Sequence, residues 1–271
     1  METDQVLGVD RSIAFTDTEL NILYNVYSVR VIAFYLGGPY YSVDGWTKED
    51  IDRAMNKGFH VVPIYVGQNV VPGSVLPKLT IEQGLIDAHE AISLMVKFGF
   101  GDLKHGPVLL DVEQTTAEYD LAGTLDYVES FTRSLRDDYI NDGVYSSLDF
   151  ISKMTEHEIS PSWVCVAKWD SKTFDGKLKL DNINGLPNSV FTHNSRAWQY
   201  AGNVQVNGIN SPVDIDLFDY ENVIMSDNAK SIIDTSTKIP IDEKELYVKS
   251  ALEHIENSRT LLERAIILLK G

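Results

Sequence analysis

A chain of 271 residues that is 44% hydrophobic and 10% aromatic carries enough apolar material for one large α/β core or two small ones. Its formal charge of −17 sets up a field that repels phosphate backbones and anionic lipid, which argues against nucleic acid and against membrane binding. The single Cys165 excludes an intrachain disulfide and a thiolate metal cluster, no stretch reaches transmembrane length, and no signal peptide is visible in the first residues.

Apolar strand-like runs recur along the chain and predict eight strands: "VLGVD" (6–10), "VRVIAFYLGG" (29–38), "HVVPIYVG" (60–67), "GPVLLDVE" (106–113), "DGVYSS" (142–147), "WVCVAKWD" (163–170), "RAWQYAG" (196–202) and "VDIDLF" (213–218). Several are continuously apolar rather than alternating, as strands covered on both faces must be. Gly37 and Gly38 read as a tight strand-to-loop turn, and Cys165 as a small buried hydrophobe. Between the strands, "TKEDIDRAMNKG" opens with Thr47 and Asp50 in capping-box spacing and closes on Gly58. "TIEQGLIDAHEAISLMVKFGFG" puts Ile81, Leu85, Ala88, Ile92 and Met95 on one helix face, and "AEYDLAGTLDYVESFTRSLRDD" repeats the pattern.

The alternation of strand and helix predicts an α/β fold, a modified TIM-like β/α barrel over residues 1–225 that becomes irregular where helix signals thin out. Residues 226–243 are polar and proline-interrupted, the pattern of a linker. Residues 244–271 are expected to form a C-terminal amphipathic helix, with Val248, Leu252, Ile255, Leu262, Ile266 and Leu269 at heptad-like spacing, suited either to self-association or to packing on its own barrel.

The chemistry concentrates where strands end. In "GPVLLDVEQTT" (106–116) an apolar run stops at Asp111 and Glu113, which share a face if the strand continues that far. Asp10 ends "LGVD", and Asp214 and Asp216 lie in "VDIDLF", so acids from three distant segments can meet at one barrel mouth. Such a cluster can hold one carboxyl protonated to donate to a leaving sugar oxygen while others stabilise an oxocarbenium-like transition state. Tyr35, Tyr65, Tyr145, Trp169, Trp198 and Tyr200 sit at or near the same strand ends as candidate sugar platforms.

Other readings carry less. Solvated acids after a strand are common, and clustered carboxylates can bind a hard cation. No histidine falls in the strand-end segments: His60 starts its strand, and His89, His105, His157, His193 and His254 read as loop or helix surface. Ser146 and Ser147 lack a nucleophile elbow, and the glycine pair fits neither a dinucleotide fingerprint nor a P-loop. No metal and no cofactor is therefore expected.

Taken in order, "GVDRS", "YLGGPY", "VVPIYVGQN", "GFGDLKHGPVLLDVE", "GVYSS", "WVCVAKWD", "AWQYAGN" and "VDIDLF" resemble the glycoside-hydrolase-like domain family once catalogued as a domain of unknown function. That family is similar to the family 25 glycoside hydrolases, the lysozymes of bacteria, fungi and phages. The resemblance runs from about residue 6 to 224 and stops before the last helix. It implies a modified β/α barrel in which Glu113 is the general acid, Asp111 assists it, and Asp10 and Asp214 complete the acidic cluster. It also implies peptidoglycan as substrate, cut between N-acetylmuramic acid and N-acetylglucosamine, and action outside the cell or at the wall, with a phage source as one option. "YLGGPY" and "YVGQN" match the less characterised branch better than the lysozymes proper. A glycan-binding or surface-assembly module with little or no turnover is accordingly the alternative to a hydrolase.

Overall fold

The computed structural model describes residues 5–39, 41, 45–67, 79–100, 107–112, 120–138, 140–168 and 195–219. Glu113, Trp169, the linker and the C-terminal helix lie outside the described residues. Eight strands close a barrel in chain order: β1 (Gln5–Arg11), β2 (Val31–Gly37), β3 (His60–Val66), β4 (Pro107–Val112), β5 (Asn141–Ser147), β6 (Trp163–Ala167), β7 (Ser195–Val204) and β8 (Val213–Asp219). Five described helices flank it: α1 (Asp17–Asn25), α2 (Lys48–Asn56), α3 (Ile81–Lys97), α4 (Leu121–Asp137) and α5 (Leu148–Glu156).

The continuously apolar strands are buried on both sides, and strand alternation divides their side chains between two cores. Val31, Ala33, Val62, Ile64, Leu109 and Phe218 belong to a small cluster inside the barrel. Val9, Ile32, Phe34, Val61, Leu110 and Leu217 belong to the larger cluster between strands and helices.

The irregularity expected late in the chain is a reversal. β1 to β7 pair in parallel, whereas β8 runs antiparallel to both β7 and β1. Only residues 205–212 separate β7 from β8, too few for the crossover that a parallel return needs. The reversal brings the start of β8 to the end where β1 finishes, and Asp214 pairs in register with Asp10.

The helices show how local chemistry sets their limits. Thr47 and Asp50 form the expected reciprocal capping box at the start of α2, and Thr16 with Glu19 forms a second one on α1. Two helices, α1 and α5, add to those expected from the sequence; α5 starts directly from Ser147, which ends β5 and caps the helix through its side chain. The buried face of α3 also differs from the expected one. Ala88 and Met95 are buried, but Ile81 and Leu85 are 56% and 41% exposed, and Gly84, Asp87 and Ala91 take the inner positions. A Cβ at Gly84 would collide with Ser130 Oγ and the Tyr127 carbonyl, so close approach to α4 selects small residues and turns the bulky ones outward. Asp87, buried at that contact, accepts from Tyr127 Oη at 2.6 Å and Gln83 Nε2 at 2.8 Å. At the end of β2, Gly38 has φ +141°, and a side chain there would strike the Val66 carbonyl of β3.

A buried ion pair fixes the loops around the end of β1. Arg11 Nη1 lies 3.2 Å from Glu19 Oε1, its Nε and Nη2 donate to the carbonyls of Ile13 and Ala14, and its guanidinium stacks 3.9 Å over the Phe15 ring. Glu19 also accepts from the backbone N–H of Thr16 and of Asn210, the latter in the β7–β8 connection. Although burial pushes the other way, these donors hold the Glu19 carboxyl at about 2, below its ordinary 4.5. A depressed carboxylate pKa gives stability that is complete above the unfolded-state value and fades as pH falls from about 4.5 towards 2. Glu19→Gln is expected to lower stability at neutral pH by about 3 kcal/mol, because it leaves the Arg11 charge buried without its counterion. Urea unfolding at pH 7 and at pH 3 checks this; the difference between wild type and variant shrinks at the lower pH.

Candidate active site

Alternation along each strand decides which side chains enter the barrel. Asp10 is the last inward residue of β1, Asp214 and Asp216 are inward on β8, and the register sets Asp10 against Asp214 and Gly8 against Asp216. Across the barrel, Asp111 of β4 pairs with Val66 of β3 on one side and Tyr145 of β5 on the other. Gln199 of β7 is in register with Asp216. Asp10, Asp111, Gln199 and Asp216 are buried, and Asp214 is half-buried.

One amide links much of this group. Tyr145 Oη donates to Gln199 Oε1 at 2.6 Å, while Gln199 Nε2 donates to Asp10 Oδ2 at 2.8 Å and reaches Asp214 Oδ2 at 3.4 Å. The second oxygen of Asp214 accepts the Asn203 N–H at 2.6 Å, delivered from a residue in the left-handed region at φ +58°.

Carboxyls buried side by side cannot all ionise at neutral pH. Burial first, then the charge of Asp214, raises Asp10 from 3.8 to about 7 even though Gln199 and Asp216 hydrogen-bond to its charged form. Burial, then the charges of Asp10 and Asp214, drives Asp216 well above the ordinary carboxylate range, and its hydrogen bond to Asp10 favours its neutral form. Both carboxyls therefore hold protons more tightly than a free aspartate, Asp216 most of all. Neutral Asp216 explains how its Oδ2 can be buried where no donor among the described residues reaches it. Asp214 is raised by burial, opposed by the Asn203 N–H. The Tyr145 phenol and the Cys165 thiol are pushed far up by burial and by the surrounding acids, so both stay neutral. Among the described residues no group of three His, Cys, Asp or Glu side chains is arranged to hold a metal ion.

Of the residues singled out in the sequence, the barrel thus gathers Asp10, Asp111, Asp214 and Tyr145. Tyr35 is half-buried on β2, packed against the inner cluster, with its ring edge-on to Tyr41 at 5.6 Å. Three of the proposed sugar platforms are corrected. Tyr65, Trp198 and Tyr200 are buried on the outer face of the sheet, because each lies one residue out of phase with the inward positions of its strand. Tyr65 donates to Glu90 Oε2 at 2.6 Å and packs on Phe131, while Trp198 donates to the Lys168 carbonyl at 2.8 Å and packs on Tyr200. Gln199, flanked by Trp198 and Tyr200, is a further inward residue that was not among those expected at the site. A lone amide within an apolar strand was the available signal, because a polar group in a dry core requires partners there.

The closed β/α barrel and its acid-lined interior define a glycoside hydrolase-like domain with structural similarity to lysozymes and cell-wall lytic enzymes. The family model described as "Rv2525c-like, glycoside hydrolase-like domain" matches residues 27–221, and the chain belongs to that family. The matched stretch holds β2 to β8, whereas β1 and Asp10 precede it. The catalytic domain of endolysin ply40 from bacteriophage P40 of Listeria monocytogenes superposes with TM-score 0.56 at 14% identity, over 82% of this chain and 97% of that one. The Mycobacterium tuberculosis Tat-secreted protein Rv2525c gives 0.53 at 14% identity over 78% and 93%, and the bacterial lysozyme from Streptomyces coelicolor 0.52 at 14% over 84% and 99%. At these identities the likeness is one of fold. No curated protein matches in sequence.

The buried acids make a stability prediction that needs no substrate. A carboxyl whose folded pKa is raised gives stability that is complete below its unfolded value, 3.8 for Asp10, and is lost as pH rises to about 7. Asp10→Asn removes that titration and keeps an acceptor for Gln199. Its Tm is expected to match wild type near pH 4 and to exceed it by roughly 5 °C at pH 8. Calorimetry at the two pH values checks it.

Proposed function

We propose that the protein is a glycoside hydrolase acting on peptidoglycan or a related cell-wall glycan outside the cell. The observation that carries this reading is the inward set Asp10, Asp111, Asp214 and Asp216, in which burial and mutual charge raise Asp10, Asp214 and Asp216 so that a carboxyl can keep a proton beside its neighbours. A protonated acid and an ionised one on either side of a glycosidic bond are what its cleavage requires. Glu113 follows β4 two residues beyond Asp111 and is assigned the role of general acid, protonating the leaving oxygen. Asp111 orients the sugar or stabilises developing positive charge, and Asp10 with Asp214 supplies further negative field at the mouth. Tyr145 and Tyr35, the inward tyrosines of β5 and β2, are assigned to the substrate, Tyr145 through the hydrogen-bonded network and Tyr35 through its half-exposed ring. The family membership and the folds shared with an endolysin, a lysozyme and a Tat-secreted protein support a wall glycan met outside a membrane.

The charge of −17 favours a second reading, a glycan-binding module with little turnover, since wall polymers are often anionic and a strongly acidic lysin approaches them slowly. One experiment separates the two. Purified peptidoglycan is incubated with wild type and Glu113→Gln, and released reducing ends and muropeptides are quantified. The hydrolase reading expects release from wild type and a fall of at least about 100-fold in the variant. Equal release from both removes Glu113 as the acid, and no release from either, with wall binding retained, establishes the binding module.

A further inference from the structure

Gln199 occupies a position from which a neutral side chain addresses the acids of two strands together. It is buried on β7, its carbonyl oxygen accepts the Tyr145 hydroxyl, and its amide nitrogen faces the carboxylates of Asp10 on β1 and Asp214 on β8. The direction of the amide is set chemically. Both carboxylates are acceptors, so the NH2 group must face them, and the opposite edge must then take a donor, which the Tyr145 phenol supplies. A flipped amide would aim its oxygen at two acids and its NH2 at the phenol, losing both bonds to the carboxylates.

We propose that Gln199 is a positioning residue that favours the charged form of Asp10 and aims it into the mouth, with Tyr145 locking the amide in its working orientation. The assignment rests on the hydrolase reading for its consequence in catalysis, but not for its consequence in titration. The groups that bear on Asp10 are Asp214 and Asp216 on β8 and Gln199 on β7, and Asp10 in turn acts on Tyr145 of β5 and Cys165 of β6, which also feel Asp111 of β4. Of these, Asp214 and burial push its proton on, whereas Gln199 and Asp216 pull it off. Asp216 can do so only while it keeps its own proton. Gln199 has no proton to lose, so its pull persists at every pH at which the fold survives. The amide sets the acid limb of the pH profile, and the acids alone would set it higher.

The test titrates Asp10 directly in the full chain by carbon-13 NMR of labelled aspartate, the signal being identified by its absence in Asp10→Asn. Gln199→Met preserves length and removes both donors, and the Asp10 midpoint is expected to rise by about one pH unit. Tyr145→Phe keeps the amide and the ring but frees the amide to turn. It is expected to move the midpoint in the same direction by less, and it tests the proposal if Gln199→Met does not fold. Midpoints within about 0.2 unit of wild type in the folded variants overturn the proposal. In parallel, kcat for wall-glycan release is followed against pH: the proposal expects the acid limb of Gln199→Met to move upward with the Asp10 midpoint and activity to return at high pH, whereas an equal loss at all pH values marks a merely structural residue and overturns it. If wild type releases no product, the hydrolase reading fails on that result alone, and the NMR midpoints still decide the role of Gln199.

Discussion

The crowding of Asp10, Asp214 and Asp216 between β1 and β8 is the constraint around which the interior is arranged. A β/α barrel of this size ordinarily fills its centre with apolar side chains, and one end of this one does so with Val31, Ala33, Val62 and Leu109. Towards the other end the filling is polar, and several ionised carboxylates packed together in a dry space would not be tolerated. The fold accommodates them by leaving Asp216 neutral, by directing a side-chain amide and a backbone N–H at the remaining charge, and by leaving Asp214 half in solvent. Stability comes from elsewhere, from the larger core between strands and helices, where Phe34, Phe131, Leu217 and their neighbours are fully buried. The division has a functional sense: a site that destabilises the fold is held by a frame rigid enough to tolerate it.

The reversal of β8 is what makes the acid pair possible. In an all-parallel barrel the carboxyl ends of neighbouring strands meet at the mouth, and an acid early in the last strand would lie at the far end. The short β7–β8 connection turns β8 over, so that Asp214, near its start, faces Asp10, near the end of β1, while Asp216 and Gly8 pair at the middle of the two strands. Gly8, in register with Asp216, leaves room for the Phe218 ring, which a Cβ at that position of β1 would strike.

The extent to which this could be read from sequence follows from the physics of each feature. Strands covered on both faces are apolar throughout, so their presence was visible and their limits fell within a few residues of those found. The same property hid their phase. A strand without alternation does not say which of two adjacent side chains faces in, which is why of the residues expected at the mouth Asp10 and Tyr145 face the interior while Tyr65, Trp198 and Tyr200 lie in the outer core. The α3 helix failed for a related reason: its apolar arc is wider than the face that packs, and the decision between Ile81 and Ala91 was made by the closeness of α4, which no local pattern encodes. The acids were legible because charge at the end of an apolar run is conspicuous. Gln199 was not, because an amide between two aromatics gains its meaning only from carboxylates at the opposite end of the sequence.

Strand alternation also separates the two demands placed on the end of β1. Asp10 points into the barrel and Arg11 out of it. Arg11 gathers the segments around the mouth: its guanidinium holds Ile13, Ala14 and Glu19, its carbonyl accepts the Trp46 indole N–H at 2.9 Å, and Glu19 reaches on to Asn210 in the connection before β8. The loops after β1 and β2 and the turn into β8 are thereby fixed to one buried ion pair on the outer side of the sheet. Asp10 can then carry a raised pKa without also having to hold the backbone that presents it. One residue destabilises the interior for the sake of its chemistry, and the next secures the frame in which that chemistry is aimed.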